Sequence, residues 1–298
     1  MARRHPILRG FVGLAATGFV VVLALAVFSY LKTEGLALLE KDAVAIVTVE
    51  GVIEDSRDTV RELDRLAEAS GVRAVVLRVE SPGGGVAASQ EIYDAVLRVH
   101  EKKPIIASLG GIAASGGYYV ASACDAILAS PGTLTGSIGV IMRVQNVAEL
   151  LKKIGVQGIT VKAGKFKDIG SPLREMSEEE KNFLESLLVN VHGQFIDAVA
   201  KGRKLPPDEV RTVADGRIYS GQQAKELKLV DQLGGLREAV HLAAERAGIS
   251  GEPRWIEIDK KQSPWWWRRI TGLMEGNPTS FGGLQFIYQG PLASPASG

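Results

Sequence analysis

One cysteine, Cys124, stands in the whole chain of 298 residues. Its solitude excludes an intrachain disulfide and a thiolate metal cluster. Nothing basic lies near it in sequence to stabilise a thiolate, so it is expected to be a buried structural thiol rather than a nucleophile. Charge of one sign is missing as well: 35 Lys and Arg against 34 Asp and Glu leave a formal charge of +1. No global field therefore recruits nucleic acid or an acidic partner. No internal repeat is present, so the chain holds a single copy of its folding unit. What it has in quantity is apolar material, 46% of residues against 23% charged. That suffices for one large domain, or two small ones, with a sizeable core.

Part of that apolar content is concentrated at the start. The basic segment 1–10, MARRHPILRG, precedes Phe11 to Leu31, an uncharged run long enough to cross a hydrocarbon core of about 30 Å as a helix. A cleaved signal peptide is the alternative, but its apolar region is shorter and this run continues past any Ala-x-Ala-like site. The expectation is one uncleaved transmembrane anchor over 11–31. Arg3, Arg4 and Arg9 on the near side, against the mixed Lys32, Glu34 and Glu40 beyond, keep the N-terminus cytoplasmic. The body after the 32–42 linker is then extracytoplasmic, on a single-pass protein of the cell membrane.

Beyond the linker, strand-like and helix-like stretches alternate. AVAIVTVEGVI (43–53), RAVVLRVE (73–80), PIIASLGG (104–111) and AILAS (126–130) are nearly continuous in Val, Ile, Leu and Ala. Between them, SRDTVRELDRLAEAS and AASQEIYDAVLRVHEKK repeat their apolar residues at helical spacing. This pattern predicts an α/β fold with a largely parallel sheet covered on both faces. Ser177 with Glu180 forms a capping-box signature, Pro206 and Pro207 suit a first helical turn, and Ser220 suits an N-cap. The regular pattern ends near 250. The tail 251–298 carries Trp265, Trp266 and Trp267 followed by Arg268 and Arg269, then a Gly/Pro/Ser-rich end. It is expected to be interfacial at a membrane surface, packed on a partner, or partly disordered.

Chemistry points to GGIAASGGYYVASACD (110–125), which sets Ser115 between glycines. A serine nucleophile needs a base and an oxyanion hole. Gly116 follows it at an expected helix N-terminus, and the Gly-rich loop of ESPGGG (80–85) ends a preceding parallel strand. Both loops fall on the sheet edge that lines the ligand crevice in open α/β folds. The base is less plain. His5 precedes the membrane run, while His100, His192 and His241 lie in helices rather than Gly-rich loops. A Ser-His-Asp triad assembled in space stays open, as does a desolvated neutral lysine, with Lys162, Lys165 and Lys167 as candidates. Spacing does not choose among the three.

Taken together, ESPGGG, GGIAASGGYYVASACD, TLTGSIGVI, AGKFKDIGSPLREMSEEEK and ADGRIYSGQQAKELKLVDQLG resemble the successive motifs of the signal peptide peptidase A family. These are serine-lysine membrane proteases of the Clp/crotonase superfold, and the resemblance covers roughly Val44 to Gly248, matching the short form. It implies a Clp/crotonase-like protease domain over 43–250, Ser115 as nucleophile and Lys167 as general base. Gly83 and Gly116 become the oxyanion donors, with Gly84 as substitute for Gly83. It implies remnant signal peptides and other apolar segments as substrates, no metal or other cofactor, and a homo-oligomer whose neighbouring subunits complete each site. Two rival readings remain at this point: a crotonase-type acyl-CoA enzyme, and a membrane-anchored scaffold of the same fold that cleaves nothing.

Overall fold

The computed structural model describes residues 18–21, 42–258 and 285–287. In chain order the body runs β1 (Ala43–Glu50), α1 (Arg57–Glu68), β2 (Val72–Ser81), β3 (Gly83–Gly85), α2 (Val86–His100), β4 (Ile105–Ala114) and α3 (Gly116–Ala121). It continues through β5 (Ala126–Ala129), β6 (Leu134–Gly136), α4 (Ala148–Lys153), α5 (Glu178–Arg203), α6 (Pro207–Val213), β7 (Ile218–Ser220), α7 (Gly221–Glu226) and β8 (Gln232–Leu233). α8 (Leu236–Arg246) and β9 (Arg254–Ile258) close the body, and β10 (Gln285–Ile287) stands apart in sequence.

The main sheet has the order β7-β6-β4-β2-β1-β9, with β5 beside β4 and β8 beside β5. Its ladders are parallel except that between β6 and β7. The apolar runs explain why. Side chains alternate across a strand, and both faces are filled: Ala45, Val47, Val75, Leu77, Ile105 and Ala107 enter one core cluster. Their neighbours Val44, Ile46, Ala74, Val76 and Ile106 enter a second, under Ala239, Val240, Ala243 and Ala244 of α8. The first face receives Leu63, Leu66 and Ala67 of α1, Ile92, Val96 and Val99 of α2, and Phe195, Ile196 and Val199 of α5. Phe195 is fully buried and meets the Tyr119 ring edge-on, 4.9 Å between centroids.

Cys124 lies in this core, 3% exposed, and burial pushes its thiol well above the ordinary range. Ser177 and Ser220 both form full capping boxes, with Glu180 and Gln223, and Pro207 occupies the first turn of α6. The sheet also reaches past residue 250, because β9 pairs in parallel with β1 from Ala43↔Arg254 to Val47↔Ile258. Among the described residues no helix is long and apolar enough to cross a membrane. Apart from Gly18–Val21, which are helical and exposed, the run 11–31 lies outside the described residues. So does Trp265 to Arg269.

β4 positions the site. Its first half pairs with β2 and β5, through Ile105↔Val75 and Ile106↔Ala126, while its last residues, Ile112 to Ala114, pair with Leu134 to Gly136 of β6. The change of partner is fixed by Glu80, whose carboxylate accepts the N–H groups of Gly111 (2.9 Å) and Ile112 (3.0 Å). The strand thus arrives at Ser115 on the sheet's carboxyl edge, beside the end of β2.

Candidate active site

Ser115 joins β4 to α3 with φ 52° and ψ −119°, a backbone shape that a residue with a side chain adopts at a cost of about 1–3 kcal/mol. Two hydrogen bonds hold it there: its N–H donates to the Gly136 carbonyl (2.8 Å) and its C=O accepts the Tyr119 N–H (2.8 Å). The residue is 1% exposed. Two positions on, glycine is required by space, since a Cβ at Gly117 would stand 2.8 Å from the Ser81 carbonyl oxygen. That close approach presses the start of α3 against the loop leaving β2. Gly116 is the first residue of α3, and its N–H is one of those a helix start leaves without an intrahelical partner.

The second Gly-rich loop follows from the same strand end. Ser81 donates its hydroxyl to the Gly51 carbonyl (2.6 Å) and accepts the Gly83 N–H (3.1 Å). Gly83, the expected oxyanion donor, thus has its N–H directed onto Ser81. Gly83 C=O and Gly85 N–H bond Ile53 at 2.9 and 2.8 Å. In an extended strand successive residues turn their polar groups to opposite edges, so the N–H and C=O of Gly84 face the other way. A Cβ at Gly84 would lie 2.1 Å from the Ile53 oxygen, which is why no side chain fits there. The role of Ser81 escapes a reading of composition; its only signal is a hydroxyl two residues before the expected donor.

The three candidate lysines lie between Ile154 and Ser177, away from Ser115 in sequence. Lys162 pairs with Asp168 and donates to the Lys165 carbonyl (2.9 Å). Lys165 pairs with Glu179 and stands 5.6 Å from the centre of the Phe166 ring. Lys167 is exposed, and among the described residues its ammonium group has no hydrogen bond or ion pair. Within one chain no hydrogen bond joins it to Ser115.

Lys167 is nevertheless held at its backbone. Arg174 grips the adjacent Asp168 with two bonds of 2.8 Å to the carboxylate and one of 3.2 Å to its C=O, and reaches Glu180 Oε2 at 2.8 Å. Glu180 is 5% exposed and caps α5, so the clamp ties the lysine loop to the longest of the described helices. Arg174, and after it Lys162, hold the Asp168 carboxyl well below the usual range. Arg174 likewise pushes Glu180 down to about 2. Depressed carboxyl values stabilise the clamp above the ordinary carboxylate range and lose that contribution only as pH falls through the depressed values. Limited proteolysis of residues 154–176 is thus expected to stay unchanged from neutral pH down to about pH 4. Arg174→Ala should open the segment to proteases at every pH and lower peptidase activity by about 10- to 100-fold through misplacement. The melting temperature of the sheet should barely move.

The histidines hold other posts. His100 Nδ1 meets Asp125 at 2.9 Å, and His241 Nε2 lies 3.7 Å from Glu252. His192 Nε2 contacts the Ile138 carbonyl at 3.2 Å and lines a 480 Å³ cavity with Ser137, Arg143, Val189 and Asp215. None is hydrogen-bonded to Ser115. What the geometry brings together is a strained serine, a helix start and a Gly-rich backbone edge, the parts an acyl-transfer site needs.

Comparison with known proteins agrees. Residues 98–250 match peptidase family S49 and residues 36–133 match Clp protease. A protein of Synechocystis sp. that carries the provisional name of protease is 43% identical over 231 residues, 77% of this chain and 83% of that protein. The chloroplastic serine protease SPPA of Arabidopsis thaliana is 36% identical over 191 residues, 64% of this chain and 28% of its own length. Protease 4 of Salmonella typhi is 36% identical over 216 residues, 69% of this chain and 35% of its own.

Proposed function

The chain belongs to peptidase family S49 as a serine peptidase of the signal peptide peptidase A type, and from that premise we propose that it cleaves apolar peptides at a membrane with a Ser115–Lys167 dyad. The observation that carries the reading is Ser115 itself, held at positive φ between a sheet edge and a helix start, against a Gly-rich loop.

Ser115 Oγ attacks the scissile carbonyl while Lys167, as a neutral amine, takes its proton. The oxyanion is met by Gly116 N–H and by the Gly-rich loop, through Gly83 if Ser81 releases it and otherwise through Gly84. The C–N bond breaks as Lys167 returns the proton to the leaving amine, and a Lys167-activated water hydrolyses the acyl-enzyme. Lys167 comes from a neighbouring copy. In support, it stands exposed and, among the described residues, unpaired, and the preceding residues of its segment include apolar side chains left uncovered: Ile159 at 86% exposed and Val161 at 96%. Residues 11–31 anchor the chain, with the catalytic body outside the cytoplasm, and remnant signal peptides and similar apolar segments are the substrates.

A fluorophosphonate probe tests the nucleophile directly. Peptide mass spectrometry after labelling should place the adduct on Ser115, with no adduct in Ser115→Ala. Labelling of another serine, or no labelling of a folded wild-type chain, would favour the scaffold that cleaves nothing. A crotonase-type activity has no use for this serine, and a Ser115 adduct removes it too.

A further inference from the structure

Ser115 is held from two sides. Glu80 fixes the last residues of β4 before it, and the turn that leaves β6 holds its N–H through the Gly136 carbonyl. That turn is itself strained. Gly136 has φ 79° and Ser137 φ 51°, so two consecutive residues adopt left-handed backbone, the second of them with a side chain to accommodate. Such a shape persists only where its surroundings impose it.

Three groups grip the turn. The Ser137 N–H donates to the Arg217 carbonyl at 2.8 Å, and the Ile138 side chain is fully buried. The third grip comes from α5, where His192 Nε2 lies 3.2 Å from the Ile138 carbonyl oxygen. A carbonyl only accepts, so Nε2 carries the hydrogen. The post behind it is firm: His192 stands on the half of α5 that enters the core, between the buried side chains of Val191 and Phe195. A line of contacts therefore runs from the core helix through Ile138 and the Gly136–Ser137 turn to the backbone of Ser115.

We infer that His192 is a positioning residue for the acyl-transfer step, its Nε2–H tethering the Ile138 carbonyl so that the Gly136 carbonyl keeps the Ser115 backbone in place. This deepens the reading of Ser115 as the nucleophile and rests on it. In this role the ring takes no proton from the serine. The neutral ring with its hydrogen on Nε2 and the imidazolium both donate from that atom, so the tether is indifferent to the ring's charge. A histidine acting as general base would behave in the opposite way, losing function on protonation. Misplacement of a reacting group by about 1 Å can cost about 100-fold in rate, and loss of one grip among three is expected to release part of that.

The test uses the full chain with His192→Leu, which removes the donor, and His192→Gln, which keeps an N–H on a side chain of similar reach. His192→Ala takes the place of the leucine variant if that one does not fold. His192→Leu should lower kcat for a small fluorogenic peptide by about ten-fold with KM within about two-fold, and slow fluorophosphonate labelling of Ser115 by the same factor. His192→Gln should recover both rates to within about three-fold and keep the parent's pH–rate profile. Hydrogen exchange supplies a readout that needs no turnover. The Ser115 amide, followed in peptides spanning 112–118, should exchange about ten-fold faster in His192→Leu and at the parent rate in His192→Gln. If the folded parent is never labelled, the peptidase reading falls, and the exchange contrast still decides the tether. Unchanged kcat and labelling in His192→Leu would overturn the inference. So would unchanged exchange at Ser115, equal losses in the two variants, or a profile that loses its acidic limb in His192→Gln.

Discussion

Ser115→Ala and Lys167→Ala should each lower peptidase activity by about 10⁴-fold or more, with melting temperatures close to that of the parent chain. The alanine at 115 removes the only atom that forms the acyl bond. If anything it relaxes nothing in the backbone, because the positive φ is imposed by the Gly136 and Tyr119 hydrogen bonds, which do not involve the side chain. The alanine at 167 removes a group with no structural partner among the described residues, so its loss should be read in rate alone. Groups that act as a unit do not add, and the double variant should be no slower than either single one. Lys165→Ala is the control. Its side chain pairs with Glu179 at the surface, a contact of small worth, and most activity should remain. Full activity in Lys167→Ala, or a collapse in Lys165→Ala, would move the base to another residue.

A mixture of the two inactive variants should recover activity. If each site combines Ser115 of one copy with Lys167 of the next, random co-assembly leaves some junctions with both groups intact. That fraction is about a quarter for equal amounts in a closed cyclic assembly. The structural ground is the division of labour along α5. Its second half buries Val191, Phe195, Ile196 and Val199 in the core, while its first half carries Phe183, Leu187 and Val189 partly or largely exposed beside the lysine loop. A helix half that leaves Phe183, Leu187 and Val189 uncovered, next to a lysine with no side-chain partner among the described residues, fits a surface completed by a second copy. Co-expression with two different affinity tags isolates the mixed species, and its rate per site is compared with the parent chain. A tagged mixture that forms and stays inactive would place Ser115 and Lys167 in the same chain.

The elements were legible where local chemistry dictates them. Val- and Ile-rich runs with two buried faces had to be parallel strands, and Ser177 with Glu180 had to start a helix. The shorter pieces were not. β6, β7 and β8 are two or three residues each, too brief for a period to register; β6 forms on the last residues of β4, β7 on β6, and β8 on β5. β9 was hidden by Glu252 and Pro253 ahead of a stretch whose exposed residues alternate with half-buried ones. At the site, the glycines and Ser115 announce themselves, since few folds tolerate such a run without a use for bare backbone. Which lysine serves does not follow from spacing. Three lysines within six residues differ only in their partners, and those partners, Asp168, Glu179 and the Arg174 clamp, are decided by packing. The pairing of Gln285–Ile287 with Gly83–Gly85 joins segments about 200 residues apart and has no local trace beyond an uncharged stretch.

Cys124 has a consequence of another kind. It is the chain's one thiol, sealed behind α3 and kept protonated by its surroundings, so neither glutathione nor a disulfide-forming catalyst has a sulfur to engage. The fold owes nothing to the thiol–disulfide poise of its surroundings. Its strength comes from packed apolar side chains, backbone ladders and polar clamps rather than from sulfur, so the same body should stand equally well in a reducing or an oxidising medium. Nothing in its covalent structure would need to change when the chain passes from one to the other.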